Sequence, residues 1–491
     1  MENFDDKYKE LHKLYQEHQF RRALDRSNQY LHRDDALQRE KAILYEQHAL
    51  NAAAVGEINL AVNDYARMAI NAENIHHQQL AYSNYLFMNH YLPQPEEQLR
   101  QKHFAYDGFF GQTKQYQHPL PDTFSKKLRI GYLSSDFREH IVTNFSIQLL
   151  AAYDRSRYEV YCYSMLAADD QVTKQLRSLV DGWRTLEHLS WDEKARMIYE
   201  DEVDILVDLA GHSDGGQGLI VCGYKPAPIQ ICGIGWFNTT GLKAMDYFLT
   251  DQYCCPDGRG DGDFSEQLIR LPHTHFCYTP SERMLYCQRS YQLHHPVVFG
   301  SFNNFSKLNE SVLLLWLQIL DQVPGARLVL KNAHGAREWQ ERRIKKLALS
   351  LGYQERQLEI RPATAGYLDE YMDIDIALDP FPYPGGGTTC EALYMGVPVI
   401  SLCGQRHGER FGYSLLRNIG LSELAPATKE GYVAVAVALA QDREAIRLLH
   451  QNLRLMMQQS PLMDAKGYVA DVEAAYERIW QTYVQKAGRS G

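Results

Sequence analysis

Pro384-Gly-Gly-Gly-Thr-Thr-Cys-Glu391 stands between two segments of different character. The segment before it, Ile374–Asp379, is a short hydrophobic run that predicts a buried strand, and the segment after it predicts a helix beginning at Ala392. Three consecutive glycines let a backbone approach a ligand closely, and a helix N-terminus offers N–H groups that have no partner inside the helix. This arrangement is typical of a phosphate-binding loop.

Individual side chains in the stretch fit the same ligand class. The hydroxyls of Thr388 and Thr389 stand at the start of the predicted helix, directly after Gly386 and Gly387. The carboxylate of Glu391, about one turn further, suits a pair of neighbouring hydroxyls such as those of a ribose. An ordinary turn with a helix N-cap also fits this stretch, so the remainder of the chain has to discriminate between the two interpretations.

Composition predicts an ordinary globular protein. The 491 residues are 45% hydrophobic and 23% charged, and this length predicts two to four domains. A net charge of −10 with scattered basic residues disfavours nucleic acid and anionic membranes as partners. The acidic N-terminus has no apolar core of the kind a secretory signal needs, and no apolar run approaches the ~18 residues of a membrane span. We therefore expect a cytoplasmic protein.

Cysteine and carboxylate spacing predict no metal site. The nine cysteines are odd in number and include no C-x-x-C pair, so we expect reduced thiols rather than a disulfide framework or a zinc site. Asp257, Asp261 and Asp263 lie in a glycine-rich loop, but their spacing fits no known calcium loop, and a solvated surface is the better interpretation.

Residues 1–122 predict a helical domain. Two stretches, one around Ala23 and one around Ala61, each place a small alanine followed by larger residues four and seven positions on, along one helix face. Their spacing is close to the ~34-residue period of tetratricopeptide helix pairs. The segment therefore predicts either a short tetratricopeptide-like array whose concave surface receives a protein partner, or a plain helical bundle that caps the rest of the chain.

Residues 123–292 and 293–463 each predict an α/β domain in which strands alternate with helices, which implies parallel sheets. Ligands of such sheets bind at the carboxyl ends of strands. That rule selects His140 and His212 in the first domain, because each lies in a loop after a predicted strand. In the second domain it selects Lys307, since a lysine beyond a strand can meet a diphosphate as a mobile point charge. Two such domains in series imply a cleft between them. We expect residues 464–491 to form a helix that packs back on these α/β domains.

Several motifs, in one order, resemble the catalytic region of the bacterial protein O-GlcNAc transferase (SPINDLY-type) family, from about Leu128 to Tyr483. The resemblance implies glycosyltransferase family 41, with the GT-B fold of two Rossmann-like domains facing a cleft, preceded by tetratricopeptide-like helices. The matching motifs are Gly131-Tyr-Leu-Ser-Ser-Asp-Phe137 with His140, Leu206-Val-Asp-Leu-Ala-Gly-His212, Lys225-Pro-Ala-Pro-Ile-Gln230, Met245-Asp-Tyr-Phe-Leu-Thr-Asp251, Phe302-Asn-Asn-Phe-Ser-Lys307 and Thr388-Thr-Cys-Glu-Ala-Leu-Tyr-Met-Gly-Val-Pro398.

The resemblance implies an inverting, metal-independent transfer of GlcNAc from UDP-GlcNAc to Ser or Thr hydroxyls of a protein. The UDP-sugar is a co-substrate, no cofactor is implied, and the acceptor protein would bind through the helices and the cleft. Lys307, with Thr388, Thr389 and the loop amides, would neutralise the leaving UDP, and Glu391 would hold the ribose. Asn304 and the backbone at Pro362 and Ala363 would frame the nucleotide. His140 and His212 would lie on the sugar and acceptor side, and either His140 or a donor phosphate oxygen would serve as general base.

Two departures from the family pattern leave the donor open. The loop that begins Gly235-Trp-Phe-Asn-Thr239 differs from the Gly-Tyr-Pro-Gly-Thr common in the family, and Tyr367 stands where relatives often place a histidine against the uracil. A tyrosine ring can still stack on a base. The alternatives are a UDP-glucose-dependent protein O- or N-glycosyltransferase and a non-catalytic scaffold of helices and a GT-B module. The scaffold predicts loss of the phosphate loop or of Lys307, and both are present.

Overall fold

The computed structural model describes residues 4–32, 37–119, 127–287, 291–332, 337–362, 364 and 366–487. The chain divides into two compact units. The first unit comprises Met1–Pro93 and Pro280–Gln458, and the second comprises Gln94–Thr279 and Gln459–Gly491. Among the described residues, no helix combines the length and the apolar character that crossing a bilayer requires.

In chain order the α-helices are α1 (Phe4–Gln16), α2 (Phe20–Leu31), α3 (Gln38–Val55), α4 (Ile58–Asn71), α5 (Ile75–Asn89), α6 (Glu96–Phe104), α7 (Ile141–Ala151), α8 (Gln171–Leu179), α9 (Trp191–Glu200), α10 (Gln217–Gly223), α11 (Glu282–Tyr286), α12 (Glu310–Gln322), α13 (Arg337–Ser350), α14 (Gly387–Met395), α15 (Phe411–Asn418), α16 (Lys429–Gln441), α17 (Arg443–Gln458) and α18 (Ala465–Ala487). Short 3₁₀ helices cover Ala105–Phe110, Phe305–Lys307, Glu355–Gln357, Asp369–Asp373, His407–Arg410 and Ser422–Leu424.

The strands are β1 (Leu128–Ser134), β2 (Tyr158–Ser164), β3 (Gly182–Thr185), β4 (Ile205–Asp208), β5 (Ile229–Cys232), β6 (Tyr247–Asp251), β7 (Gln267–Leu271), β8 (Val298–Phe302), β9 (Arg327–Lys331), β10 (Leu358–Arg361), β11 (Ile376–Leu378) and β12 (Val399–Ile400). Strands β1–β7 form one parallel sheet and β8–β12 form the other.

Helices α1–α5 of the first unit form a helical array in which neighbours along the chain pack together. Ala23 and Ala61, the small residues of the two similar stretches, are fully buried, and so are Tyr30 and Tyr65, which follow them in the pattern. A small side chain at such a position lets two helix axes approach closely, which explains why the pattern marks the contact face. Helix α3 ends at Gly56, whose φ of 83° is the left-handed conformation of a helix C-cap.

The sheet of the first unit has the strand order β10-β9-β8-β11-β12. The strands in its interior are buried on both faces over most of their length, as in β8, where all five residues are buried. That pattern is expected when helices cover both sides of a parallel sheet. The order reverses between β8 and β11, which are hydrogen-bonded neighbours. This reversal places the loop after β8 beside the loop after β11.

The second unit has the order β3-β2-β1-β4-β5-β6-β7, with its reversal between β1 and β4. Helix α18 packs on this sheet, and the hydroxyls of Tyr476 and Tyr132 lie 3.2 Å apart. Tyr158 of β2 donates a hydrogen bond of 3.2 Å to the Glu473 carbonyl of the same helix. The terminal helix α18 therefore packs on the sheet of the second unit.

The predicted fold class is confirmed: the protein has two Rossmann-like parallel sheets and a helical N-terminal segment. The structure corrects one boundary that matters for the site. Helix α14 begins at Gly387 rather than at Ala392, so Thr388 and Thr389 belong to its first turn. The domain boundaries after residues 122, 292 and 463 stay a prediction, because the two units group residues by contact rather than by sequence order.

Candidate functional site

The order reversal in the first unit brings two loops together. The 3₁₀ helix Phe305–Lys307 follows β8, and the glycine loop, residues 380–386, follows its neighbour β11. A parallel sheet binds its ligands at the carboxyl ends of the strands where the order reverses, because the two loops diverge there and leave a crevice. The predicted loop and the predicted lysine therefore lie where this architecture places a ligand.

Asp379 fixes the shape of the glycine loop. Its carboxylate accepts hydrogen bonds from the Gly385 amide at 2.7 Å, the Ser401 hydroxyl at 2.9 Å and the Thr389 hydroxyl at 3.4 Å. Burial raises the pKa of Asp379 to about 6, although these hydrogen bonds and the charge of Lys307 act in the opposite direction. The carboxylate thus ties the loop to the first turn of α14 and places a negative charge beneath it.

Gly385 allows the close turn of this loop. A Cβ atom added there would overlap the hydroxyl oxygens of Thr388 and Thr389 and would come within 3.0 Å of the Asp379 carboxylate. Any side chain would therefore push the loop away from the helix N-terminus. The glycine at this position is a steric requirement of the site.

Lys307 reaches across from the neighbouring loop. Its ammonium donates to the Pro384 carbonyl at 2.9 Å, lies 3.5 Å from Asn303 Oδ1 and stands 4.2 Å from the centre of the Tyr383 ring. Burial lowers the pKa of Lys307 to about 8, and the attraction of Asp379 opposes that shift. The ammonium is mostly protonated at pH 7, but its direct hydrogen-bond partners are neutral groups.

The N-terminus of α14 completes a cationic corner. The helix begins after Gly386, a residue that has no side chain to cap it, and Gly387 is its first residue. The Thr388 hydroxyl donates to Asn303 Oδ1 at 3.1 Å, and Asn304 caps the 3₁₀ helix by accepting from the Ser306 amide at 2.9 Å. A helix N-terminus carries partial positive charge, which adds to that of the ammonium. We call Lys307, Gly386, Gly387, Thr388 and Thr389 the anion site.

Glu391, one turn into α14, lies beside Tyr367. The Tyr367 hydroxyl donates to Glu391 Oε1 at 2.7 Å, and burial raises the pKa of Glu391 to about 7 against the effect of that bond. Pro362 is exposed, and its carbonyl accepts from the Lys331 ammonium at 2.6 Å. Ala363, the other predicted backbone contact, lies outside the described residues.

His140 belongs to the second unit, at the N-terminus of α7. Its Nδ1 lies 3.3 Å from Asp136 Oδ1 and 3.4 Å from the Val142 amide, and its side chain is 33% exposed. The Val142 amide donates to Nδ1 in the tautomer that has no proton there. In the other tautomer the Asp136 carboxylate attracts the proton on Nδ1, and the lone pair is then left on Nε2. The arrangement can therefore orient the imidazole so that Nε2 accepts a proton.

His212 is fully buried in the second unit. Its Nε2 donates to the Thr240 carbonyl at 2.9 Å, and its ring packs against Trp236 and Tyr106. Burial lowers the pKa of His212 to about 3. A histidine in this environment stays neutral at physiological pH and joins two loops, which favours a positioning role over proton transfer.

Gly235 allows a close backbone approach in the second unit. Its amide donates to the Leu209 carbonyl at 3.0 Å, and an added Cβ would overlap that oxygen. Nearby, the Ser135 hydroxyl donates to Asp214 at 2.6 Å, which joins the loops after β1 and β4. Burial raises the pKa of Asp214 and of Asp208, which is buried in the same region.

The structure thus brings together Lys307, Asn304, the glycine loop and the two threonines, and it pairs Glu391 with Tyr367. His140, His212 and Gly235 belong to the other unit. Sequence reasoning missed Asp379, Asn303 and Tyr383. Asp379 ends the strand segment before the glycine loop, so a carboxylate at that position is a usable signal, whereas the contact of Tyr383 with Lys307 has no local sequence signal.

The model of the family described as "Glycosyl transferase family 41" matches residues 111–285 and 277–472. Among solved structures, a mutant O-GlcNAc transferase of Thermobaculum terrenum superposes with a TM-score of 0.80 and 29% identity, covering 99% of this chain and 100% of that one.

Curated relatives include a tomato (Solanum lycopersicum) protein named "Probable UDP-N-acetylglucosamine--peptide N-acetylglucosaminyltransferase SPINDLY", 36% identical over 73% of this chain and 39% of its own length. The Arabidopsis thaliana protein of the same name is 35% identical over 73% of this chain and 40% of its own length. The chain therefore spans about two fifths of the length of these relatives. The family model covers well over half of the chain, so the chain belongs to glycosyl transferase family 41.

Proposed function

We propose that this protein transfers N-acetylglucosamine from UDP-N-acetylglucosamine to Ser or Thr hydroxyls of a protein, with inversion and without a metal ion. The observation that carries the proposal is the anion site, in which the Lys307 ammonium and the N-terminus of α14 meet where the strand order reverses. The names of the SPINDLY relatives and of the Thermobaculum terrenum enzyme support the choice of sugar and of a protein acceptor.

The anion site suits a leaving diphosphate. When the bond between the sugar carbon and the phosphate oxygen breaks, the electron pair stays with the oxygen and negative charge grows on UDP. Fixed cations and helix-end N–H groups stabilise charge that develops in a transition state. Lys307 would exchange the Pro384 carbonyl for a phosphate oxygen, a stronger partner for an ammonium. Thr388 and Thr389 would add hydroxyl donors. In this proposal the ammonium supplies the positive charge that a metal ion supplies in other transferases.

The nucleoside half of UDP would lie against Glu391 and Tyr367. A carboxylate can accept hydrogen bonds from both ribose hydroxyls, and the hydrogen bond from Tyr367 holds that carboxylate in place. The Tyr367 ring would contact the uracil, while Asn304 and the backbone at Pro362 and Ala363 would frame the nucleotide. Glu391 has a pKa of about 7, so proton release from it would favour ribose binding as the pH rises through neutrality.

On the acceptor side we assign the general base to His140. Its Nε2 would take the proton of the Ser or Thr hydroxyl as that oxygen attacks the sugar carbon, and Asp136 would stabilise the imidazolium. His212 and Gly235 would hold the surrounding loops in place, since His212 is buried and neutral. The helical array would receive the acceptor protein, because stacked helix pairs present extended surfaces.

The direct test is sugar transfer. Purified protein, a panel of UDP-sugars and lysate of the native host are combined, and intact mass and site mapping report the sugar and the modified residue. We expect UDP-N-acetylglucosamine to be the preferred donor and EDTA to leave the rate unchanged. Lys307→Met should lower the rate by at least about 100-fold, the usual cost of one transition-state charge partner.

The matched control for that variant is Lys345→Met, at an exposed lysine that pairs with Glu355 on the surface. Preference for UDP-glucose, or modification of Asn, would replace the proposal by its closest enzymatic alternative. A well-folded protein that transfers no sugar and binds no UDP would be a scaffold. A strict metal requirement would contradict the proposed leaving-group chemistry.

The affinity for UDP should depend on pH through Lys307. Its pKa is about 8 in the free protein, and UDP favours the protonated form. Above pH 8 each binding event must therefore first protonate the amine, so the dissociation constant should rise by up to about tenfold per pH unit. Asp379, with a pKa of about 6, is ionised throughout this range, and burial holds the pKa of the Tyr383 phenol well above its usual value.

Titration calorimetry with UDP from pH 7 to 9.5 measures this dependence. Above pH 8 Glu391 is already ionised, and there Lys307→Arg should bind UDP with an almost flat profile, because a guanidinium stays charged. Parallel profiles for the two proteins would show that another group titrates and that Lys307 does not contact the diphosphate.

His140→Ala should lower the turnover number about 100-fold or more, the usual contribution of a general base, and should leave the affinity for UDP unchanged. The control is His188→Ala, at a histidine whose side chain is 88% exposed. Initial rates of transfer at saturating donor measure the effect. A His140→Ala protein with near-normal turnover would assign the proton to a phosphate oxygen of the donor instead.

A further inference from the structure

The helical array contacts the elements that carry Lys307. The last turn of α3 and the residues that join it to α4, together 53–57, lie against α13 and against the 3₁₀ helix Phe305–Lys307, all within the first unit. The Gln340 side chain of α13 donates to the Ala54 carbonyl of this turn at 2.5 Å. These partners are 286 residues apart in sequence. The helical array therefore contacts the 3₁₀ helix that carries Lys307.

Two buried side-chain amides connect this contact to the 3₁₀ helix that carries Lys307. Gln340 Oε1 accepts from Asn332 Nδ2 at 2.7 Å, and Asn332 Oδ1 accepts from the backbone amide of Phe305 at 3.3 Å. The side chains of Asn332 and Gln340 are 0% and 1% exposed, so water does not compete for these bonds. Buried amides that bond at both ends fix one geometry, because any other leaves a polar group unpaired.

A second contact holds the other backbone group of Phe305, its carbonyl. Arg343 of α13 donates to the Phe305 carbonyl at 3.2 Å. Its guanidinium packs on Gly56, where an added Cβ would lie 2.8 Å from Arg343 Nε. Burial lowers the pKa of Arg343, and the charge of Glu57 in the same turn opposes that shift. The Phe305 carbonyl is thus held by Arg343, which touches the array, and the Phe305 amide is held by Asn332, which is joined to the array through Gln340.

The array also supports the ring next to the lysine. Tyr383 stands 4.2 Å from the Lys307 ammonium, measured to its ring centre. Two aromatic rings of the array contact the Tyr383 ring. Phe87, in the last turn of α5, lies at a centroid distance of 6.4 Å, and Tyr91, just after that helix, lies at 5.2 Å. Truncating either ring would leave Tyr383 room to move. The aromatic contact approaches Lys307 from its side-chain end, whereas the amide chain approaches from its backbone.

From this geometry we infer that the helical array, besides any part in receiving the acceptor, is a positioning element for Lys307, and that Gln340 and Arg343 are its positioning residues. The inference rests on the proposed function of Lys307 as the partner of the leaving diphosphate. A 3₁₀ helix of three residues has little rigidity of its own, so its orientation depends on its neighbours. A charge that stabilises a transition state must be held within a fraction of an ångström of its productive position.

A double-mutant cycle in the full chain tests this inference with UDP as the probe. Gln340→Met keeps the length of the side chain but removes both hydrogen bonds. We expect it to weaken UDP binding about fivefold in the otherwise unchanged protein, and to have almost no effect in the Lys307→Met background, as for residues that act through one another. Titration calorimetry or ligand-observed NMR gives the four dissociation constants.

The matched control is Arg342→Gln, a neighbouring position on α13 where the side chain is 70% exposed and pairs with Glu338. Gly56→Ala approaches the same turn from the array side, because its Cβ would displace Arg343, and it should show the same dependence on Lys307. This second variant also decides the matter if Gln340→Met fails to fold.

The outcomes separate the two proposals. Equal losses in both backgrounds, or no loss with either variant, would overturn the positioning role and leave the proposed function standing. Wild-type protein that binds no UDP would overturn both.

Discussion

A single ammonium group organises the candidate site. Lys307 is drawn out of water, which lowers its pKa to about 8, and its direct partners are a carbonyl and an amide oxygen. Asp379 supplies the nearby negative charge, but that carboxylate is committed to the glycine loop. A partly desolvated cation with neutral partners gains much from an anionic ligand. The reversal of strand order places the glycine loop and the first turn of α14 beside this ammonium. The N-terminus of that helix carries partial positive charge as well.

The architecture explains why this charge can be placed accurately. The 3₁₀ helix that carries Lys307 is bonded through Asn332 and Gln340 to the helical array, and Tyr383 supports the ammonium from the side of the array. The N-terminal helices therefore belong, by contact, to the same unit as the sheet built from residues 298–400. The helices that the sequence predicts to receive a protein partner thus contact the 3₁₀ helix that carries Lys307, the residue proposed to stabilise the leaving diphosphate.

Sequence alone predicted the parts of the fold that depend on local patterns. The hydrophobic runs 128–133, 158–163, 297–302 and 326–331 predict strands, and the ends of β1, β2, β8 and β9 lie within one residue of these bounds. Helix α18 lies within residues 464–491, where the sequence predicts a terminal helix. Short strands such as β3 and β5, four residues each, lack enough residues to show a pattern. The start of α14 was predicted five residues late, because glycine disfavours helix interiors and a purely local rule excludes it from the first turn. The contacts of Gln340 and Tyr383 join distant segments and leave no local trace.

The most direct measurement of the central claim is a crystal structure of the protein with UDP. The account predicts that the β-phosphate lies within hydrogen-bond distance of Lys307 Nζ and of the amides at Gly387 and Thr388, with the Lys307–Pro384 hydrogen bond broken. A diphosphate bound elsewhere, with Lys307 still donating to the Pro384 carbonyl, would contradict it.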